Sequence, residues 1–241
     1  MKKAIFFAII VLVAAFMLPA DIYIKTNIHT DAFEMMNQKQ PAKDAVTEQW
    51  VGNNQLVNKT GDKIMIMDMN KNLMFIISPK DKSYVETALP LDMSKLLPPE
   101  AKAMMSMMKV TVKVAANGQT KKVGKWNCAG YDVDMNMMMM PMKMKVWATT
   151  EVPFDWKALA KMSTNVSKMQ FMDDAAIAEF MKINGYQVAS ETSMDMMGSK
   201  MHMTSEVIEI SQKPAPAGIY SVPAGYTKKD TLSMADMQGG R

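Results

Sequence analysis

One cysteine, Cys128, and two histidines, His29 and His202, are all that 241 residues provide of those two types. A lone thiol excludes an intrachain disulfide, and one cysteine with two distant histidines does not make a structural zinc site. No G-x-S-x-G elbow, phosphate loop, H-E-x-x-H or C-x-x-C occurs, so the sequence carries none of these signatures of hydrolases, nucleotide binders, metalloproteases or thiol oxidoreductases. The formal charge of +4 falls to +2 once Lys2 and Lys3 are removed with a leader, which makes no electrostatic case for nucleic acid. A long Gly/Ser linker is also missing, so the chain reads as one domain.

What opens the chain is a leader pattern. "MKKAIFFAIIVLVAAFMLPA" has two lysines, an apolar run from Ala4 to Leu18, and Pro19-Ala20 before Asp21. That is the order of a secretory signal peptide, and the run is short for a membrane span. Leu18 stands at position −3 to the cleavage point, which leaves a retained anchor as the alternative. No cysteine directly follows the apolar run, so the lipid-bearing residue of a bacterial lipoprotein is absent. Residues 1–20 are therefore expected to be a signal peptide. Residues 21–241 are expected to be a single domain, periplasmic or secreted from a Gram-negative-type bacterium, with no stable membrane span after cleavage.

From Asp21 the sequence predicts short strands and tight turns. "DIYIKTNIHT" (21–30) sets Ile22, Ile24 and Thr26 on one face. "AVTEQWV" (45–51), "QLVNKT" (55–60), "KIMIMDM" (63–69), "LMFIIS" (73–78) and "SYVETAL" (83–89) follow, separated by Gly52-Asn53-Asn54, Gly61-Asp62, Lys71-Asn72 and Pro79 to Lys82. These connections suit hairpins, so an antiparallel meander is expected. "PPEAKAMMSMMK" (98–109) suits a helix starting near Pro99. Strands resume at "KVTVKVAA" (109–116), and Asn117-Gly118 is the strongest hairpin-turn signal of the chain. "KWNCAGYDVDM" (125–135) and "KMKVWATTEV" (143–152) are the next strands. A helical region over about 154–183 and a hairpin of "YQVASETSM" (186–194) with "KMHMTSEVIEIS" (200–211) complete the pattern. The Pro-rich tail "PAPAGIYSVPAGY" is placed at an edge. The expected class is α+β, a curved antiparallel sheet or incomplete β-barrel of about ten strands with two helical inserts.

"DIYIKTNI", the meander "TEQWVGNNQLVNKTGDKIMIMDMNKNLMFIISPKDKSYVE", the pair "KWNCAGYDVDM" and "KVWATTEV", and the terminal "VPAGY" together resemble an uncharacterised secreted bacterial family, the domain of unknown function "forty-four twelve". That family is similar in turn to the periplasmic lipoprotein carriers, in which an incomplete barrel wraps helices and holds acyl chains. The resemblance implies a lipoprotein-carrier-like fold over residues 21–226 and a lipid or other hydrophobic small molecule as ligand, with an envelope protein as a further partner.

The residue present in excess is methionine, 31 in all. It clusters at 65, 67 and 69, at 104, 105, 107 and 108, in "MNMMMMPMKM" (135–144) and in "MDMMGSKMHM" (194–203). Met65, Met67 and Met69 share a strand face, and Met104, Met105 and Met108 share a helix side, which suits core packing. Yet ordering a buried Met costs about 1.5–2 kcal/mol of rotamer entropy against about 0.5–1 for Leu or Ile. Repeated over many core sites, that difference approaches the whole stability of a domain, roughly 5–15 kcal/mol. Some methionines should therefore be exposed or serve a purpose.

The leading expectation is a non-enzymatic protein whose concave face holds a hydrophobic ligand against a compliant lining of Met65, Met67, Met69, Met104, Met105 and Met108, with no cofactor. The alternative is a periplasmic copper(I) or silver(I) protein using Met194, Met196, Met197, Met201, His202 and Met203, or the 135–144 cluster. On a regular strand Met201 and Met203 share a face, while His202 needs a bulge to join them. A structural or protein-interaction module is the third possibility, and reversible oxidation of exposed methionines another use. Cys128 reads as a small buried hydrophobe, and the pairs Asp132/Asp134 and Asp173/Asp174 read as solvated positions, not as general acid–base dyads.

Overall fold

The computed structural model describes residues 21–35, 38–52, 54–89, 110–137, 140–169, 172–196 and 199–231. In chain order its elements are β1 (Ile22–Thr30), β2 (Phe33–Met35), β3 (Gln38–Gln40), β4 (Lys43–Gly52), β5 (Gln55–Thr60), β6 (Lys63–Asp68), β7 (Leu73–Ser78) and β8 (Ser83–Ala88). Then come β9 (Val110–Val123), β10 (Trp126–Met137), β11 (Met140–Thr149), α1 (Trp156–Met169), α2 (Asp174–Phe180), β12 (Tyr186–Met196), β13 (Ser199–Gln212) and β14 (Thr227–Lys229). The helix expected near Pro99, with Met104, Met105 and Met108, lies outside the described residues.

Among the described residues twelve strands form one curved, open sheet in the order β14-β8-β7-β6-β5-β4-β1-β13-β12-β11-β10-β9, and β2 and β3 form a separate hairpin. The sheet is thus larger than the ten or so strands expected. It consists of two meanders, β4 to β8 and β9 to β13, whose hydrogen-bond ladders are joined through β1. Ile24 on β1 faces Gln49 of β4 on one side and Ile210 of β13 on the other. The turns of the first meander fall where the sequence put them, with Asn54 and Asn72 in the left-handed region that asparagine tolerates.

Three buried clusters hold the sheet. The largest gathers Ile22, Ile24, Leu56, Met67, Met74, Trp126, Cys128, Trp147, Leu159, Val188 and Ile210, with Met65 and Met69 packed against it. A second holds Tyr23, Trp50, Val57, Ile66 and Ile77 beneath Ala215, Ile219, Tyr220, Val222 and Tyr226. The proline-rich segment therefore lies across a sheet face, and only β14 reaches the edge, pairing parallel with β8. The segment is tied down at its start: Lys213 N–H donates to Asp21 O at 3.0 Å, and the Lys213 ammonium sits 3.5 Å from the centre of the Tyr23 ring. The third cluster is Val114, Tyr131, Val133, Val146 and Ala148, capped by Phe180 at the end of α2, by Ile183 just after it and by Met144.

Two expectations are corrected, and the methionine run is placed. Asn117-Gly118 is not a hairpin turn, because β9 runs through it and the turn falls at Gly124-Lys125. The register between β9 and β10 shifts there, and Asn117 Oδ1 accepts from Gln119 N–H at 3.0 Å while Asn117 Nδ2 donates to Asp132 at 2.9 Å. The asparagine side chain satisfies a bulge as readily as a turn. The helical region 154–183 is two helices, since Asp173 caps the second by accepting from Ala176 N–H at 2.8 Å. The methionine run is strand on both sides of its hairpin, with Met135 facing Met142 and Met137 facing Met140. Pro141 is tolerated because the β11–β12 register begins only at Met142, so its missing N–H falls outside that ladder.

Candidate functional site

Helices α1 and α2 pack beside the C-terminal meander and leave an apolar pocket of about 280 Å³ at the start of β12. Its walls are Trp156, Leu159 and Ala160 of α1, Ile177 and Phe180 of α2, and Met181, Ile183, Gly185, Tyr186 and Gln187. None of these side chains is charged. Burial pushes the Tyr186 phenol up, so it stays neutral. The chain turns into β12 at Gly185, whose φ of +135° and close approach to Thr149 leave no room for a Cβ.

The pocket is fastened to the sheet at an edge. Glu179 of α2 accepts from the N–H of Val114 on edge strand β9 at 2.9 Å, and Asn184 N–H donates to the Tyr131 hydroxyl at 3.1 Å. Lys182 also hydrogen-bonds Glu179, and with the Val114 N–H it holds that carboxyl below the usual range. Because Phe180 and Ile183 belong both to the pocket wall and to the cluster on Val133 and Val146, the pocket floor is continuous with the packed sheet face.

Further along the same strands that face becomes methionine. Directly opposed residues of antiparallel strands share a face, and the registers give an unbroken rung of Val112, Met135, Met142, Met194 and Met201 from β9 to β13. The adjacent rung on that face is Val114, Val133, Met144, Thr192 and Met203. Met135, Met142, Met144, Met194, Met201 and Met203 are each half-buried. Thr192 between Met144 and Met203 is 2 % exposed, and its hydroxyl has no hydrogen-bond partner. One rung further, the Ser190 and Ser205 hydroxyls bond each other at 2.8 Å. Thr192 lacks such a partner because a thioether stands opposite it.

Of the residues singled out in the sequence, Met67 is 0 % exposed and packed, and Met65 and Met69 lean on the same cluster. The apolar pocket draws its lining from α1, α2 and β12 instead. Met194, Met201 and Met203 come together with Met135, Met142 and Met144. His202 does not join them: its register is regular, it sits opposite Ser193, and Ser193 Oγ lies 3.3 Å from its Nδ1. Met197 lies outside the described residues, and Met196 is on β12, opposite Ser199. Cys128 is buried, its thiol pushed up by burial and directed at Trp126 O at 3.6 Å. Asp132 accepts from Asn117, and Asp173 is the cap of α2. No cluster of three His, Cys, Asp or Glu side chains able to hold a metal ion occurs among the described residues.

Residues 24–226 match the family model of the Domain of unknown function (DUF4412). The chain belongs to that family. No curated protein matches it. The DUF4412 match spans both meanders, β1 from Ile24 onward, helices α1 and α2 and the proline-rich segment, so the pocket and the methionine rungs lie wholly inside the family's domain. No helix among the described residues is long and apolar enough to cross a membrane.

Proposed function

We propose that this DUF4412 domain is a non-enzymatic extracytoplasmic binding protein that holds an acyl chain or another slender hydrophobic ligand between α1, α2 and the start of β12. The observation that carries the reading is the uncharged pocket of about 280 Å³ whose floor, Phe180 and Ile183, is also the lid of the sheet cluster. That volume is near the lower bound of small-molecule sites, roughly 300 Å³, and suits a stretch of hydrocarbon better than a multi-ring compound. With the Trp156 indole N–H, the Tyr186 hydroxyl and the Gln187 amide as its polar side-chain groups, the site favours a ligand whose charged head stays outside. The leader pattern of residues 1–20 supports a place beyond the inner membrane.

Native mass spectrometry of the chain purified from the periplasm tests this. The expected result is a co-purifying lipid that solvent extraction removes and a fluorescent polyunsaturated fatty acid replaces. A chain that carries no lipid and does not bind the fluorescent acid overturns the reading.

A further inference from the structure

The methionine rung shares no residue with the lining of the apolar pocket. Met135, Met142, Met194 and Met201 come from four neighbouring strands, and no residue of another type interrupts them. Opposed residues on paired strands hold their Cβ atoms about 4.5–5.5 Å apart. Each sulfur lies two bonds beyond its Cβ on a flexible stem, so sulfurs on three successive strands can turn toward one point between them. Met144 and Met203 stand diagonally beside that point on the same face.

The surroundings select the ion. Asp134, Lys143, Ser193 and His202 alternate with these methionines and so face the other side of the sheet. The rung therefore offers thioether sulfur without carboxylate, imidazole or thiolate. Hard and borderline ions such as magnesium, calcium and zinc prefer oxygen, nitrogen or thiolate donors, whereas thioethers retain soft monovalent ions. Thr192 adds an independent sign. Its hydroxyl is almost fully buried, unpartnered, and set on this face between Met144 and Met203. Such groups are normally satisfied, and this one can donate to an anion or water completing the coordination of an ion held by the sulfurs.

We propose that Met135, Met142, Met194 and Met201 form a binding site for a soft monovalent cation, copper(I) or silver(I), with Met144, Met203 and the Thr192 hydroxyl at its margin. The proton behaviour of such a site is distinctive. Cysteine and histidine must shed a proton to bind a metal, so their affinity rises with pH, while a thioether has no proton to lose.

The test is competition for copper(I) between the purified chain and a chromophoric copper(I) chelator under reducing conditions, repeated with silver(I) alone by calorimetry. The expected result is a saturable site whose affinity is unchanged over about pH 5 to 8, the range in which histidine titrates. Met142→Leu and Met194→Leu should each weaken it by about tenfold or more with the thermal transition retained, because Leu preserves the apolar volume. Met65→Leu and His202→Ala should leave it unchanged. Affinity that survives Met142→Leu combined with Met194→Leu, that is lost in His202→Ala, or that is no better than that of the same chain unfolded in urea overturns the proposal.

Discussion

Glu179 on α2 and Val114 on β9 are joined by a hydrogen bond of 2.9 Å from the backbone N–H of the last strand in the described sheet to a side-chain carboxylate. An exposed strand edge invites pairing with another chain, and here a helix occupies part of it. Glu179→Ala should free the Val114 amide, seen as faster hydrogen exchange there and at Tyr131 and Val133, with exchange in β4 to β8 unchanged. Uniform acceleration throughout the sheet would show that the bond does not act locally.

The same carboxylate gives a pH dependence. Glu179 is lowered by Lys182 and the Val114 N–H, Glu151 by Asn127, Glu48 by the Tyr23 hydroxyl and Glu209 by Ser211. A carboxyl whose pKa is lower in the folded state stabilises the fold above its unfolded pKa and loses that contribution as pH falls through the folded one. The melting temperature should therefore be steady near neutrality and decline as pH drops through and below the ordinary carboxylate range. A chain equally stable at acid and neutral pH would contradict this.

Asp68 at the end of β6 is 2 % exposed. Burial alone would raise its pKa, but donation from the Gln55 amide and the Lys71 N–H, with the Lys71 ammonium, holds it below the usual range. Asp68→Ala strands both donors, and equilibrium denaturation should show a loss of about 1–3 kcal/mol.

Gly130 is a packing requirement. A Cβ there would lie 2.5 Å from Asn117 Oδ1 and 3.0 Å from the Trp147 ring. Gly130→Ala should cost about 1–3 kcal/mol, and adding Asn117→Gly should recover part of it, since the two changes share one contact. Strict additivity would mean that the clash is absorbed elsewhere.

His29 lies 2.6 Å from Asp44 and 3.1 Å from Asp31, and its pKa is raised, first by the Asp44 hydrogen bond. Its imidazolium contribution is complete below the unfolded histidine pKa and fades as pH rises through the folded one. A proton NMR titration should place His29 above the ordinary histidine range, and Asp44→Asn should bring it back toward that range.

The first meander was legible because each of its hairpins is local: the turn residues sit between strands that pair with their sequence neighbours. Asn117-Gly118 misled because asparagine and glycine satisfy a bulge as well as a turn, and only the partner strand decides between them. The methionine rung was beyond reach for another reason. Met142 and Met194 become neighbours through a register set across α1 and α2, and no residue near either announces it. Met201 and Met203 could be read as sharing a face because alternation along one strand needs no partner. The same rule turned His202 away.

The dependence on β1 also bears on how the chain reaches its fold. Each meander can zip from its own hairpins, but Ile22 must find Val51 of β4 and Gln212 of β13 before the two become one sheet. Contacts between such distant positions raise contact order and slow folding. Until β13 docks, β1 pairs on one side alone and presents a bare flank to any passing strand.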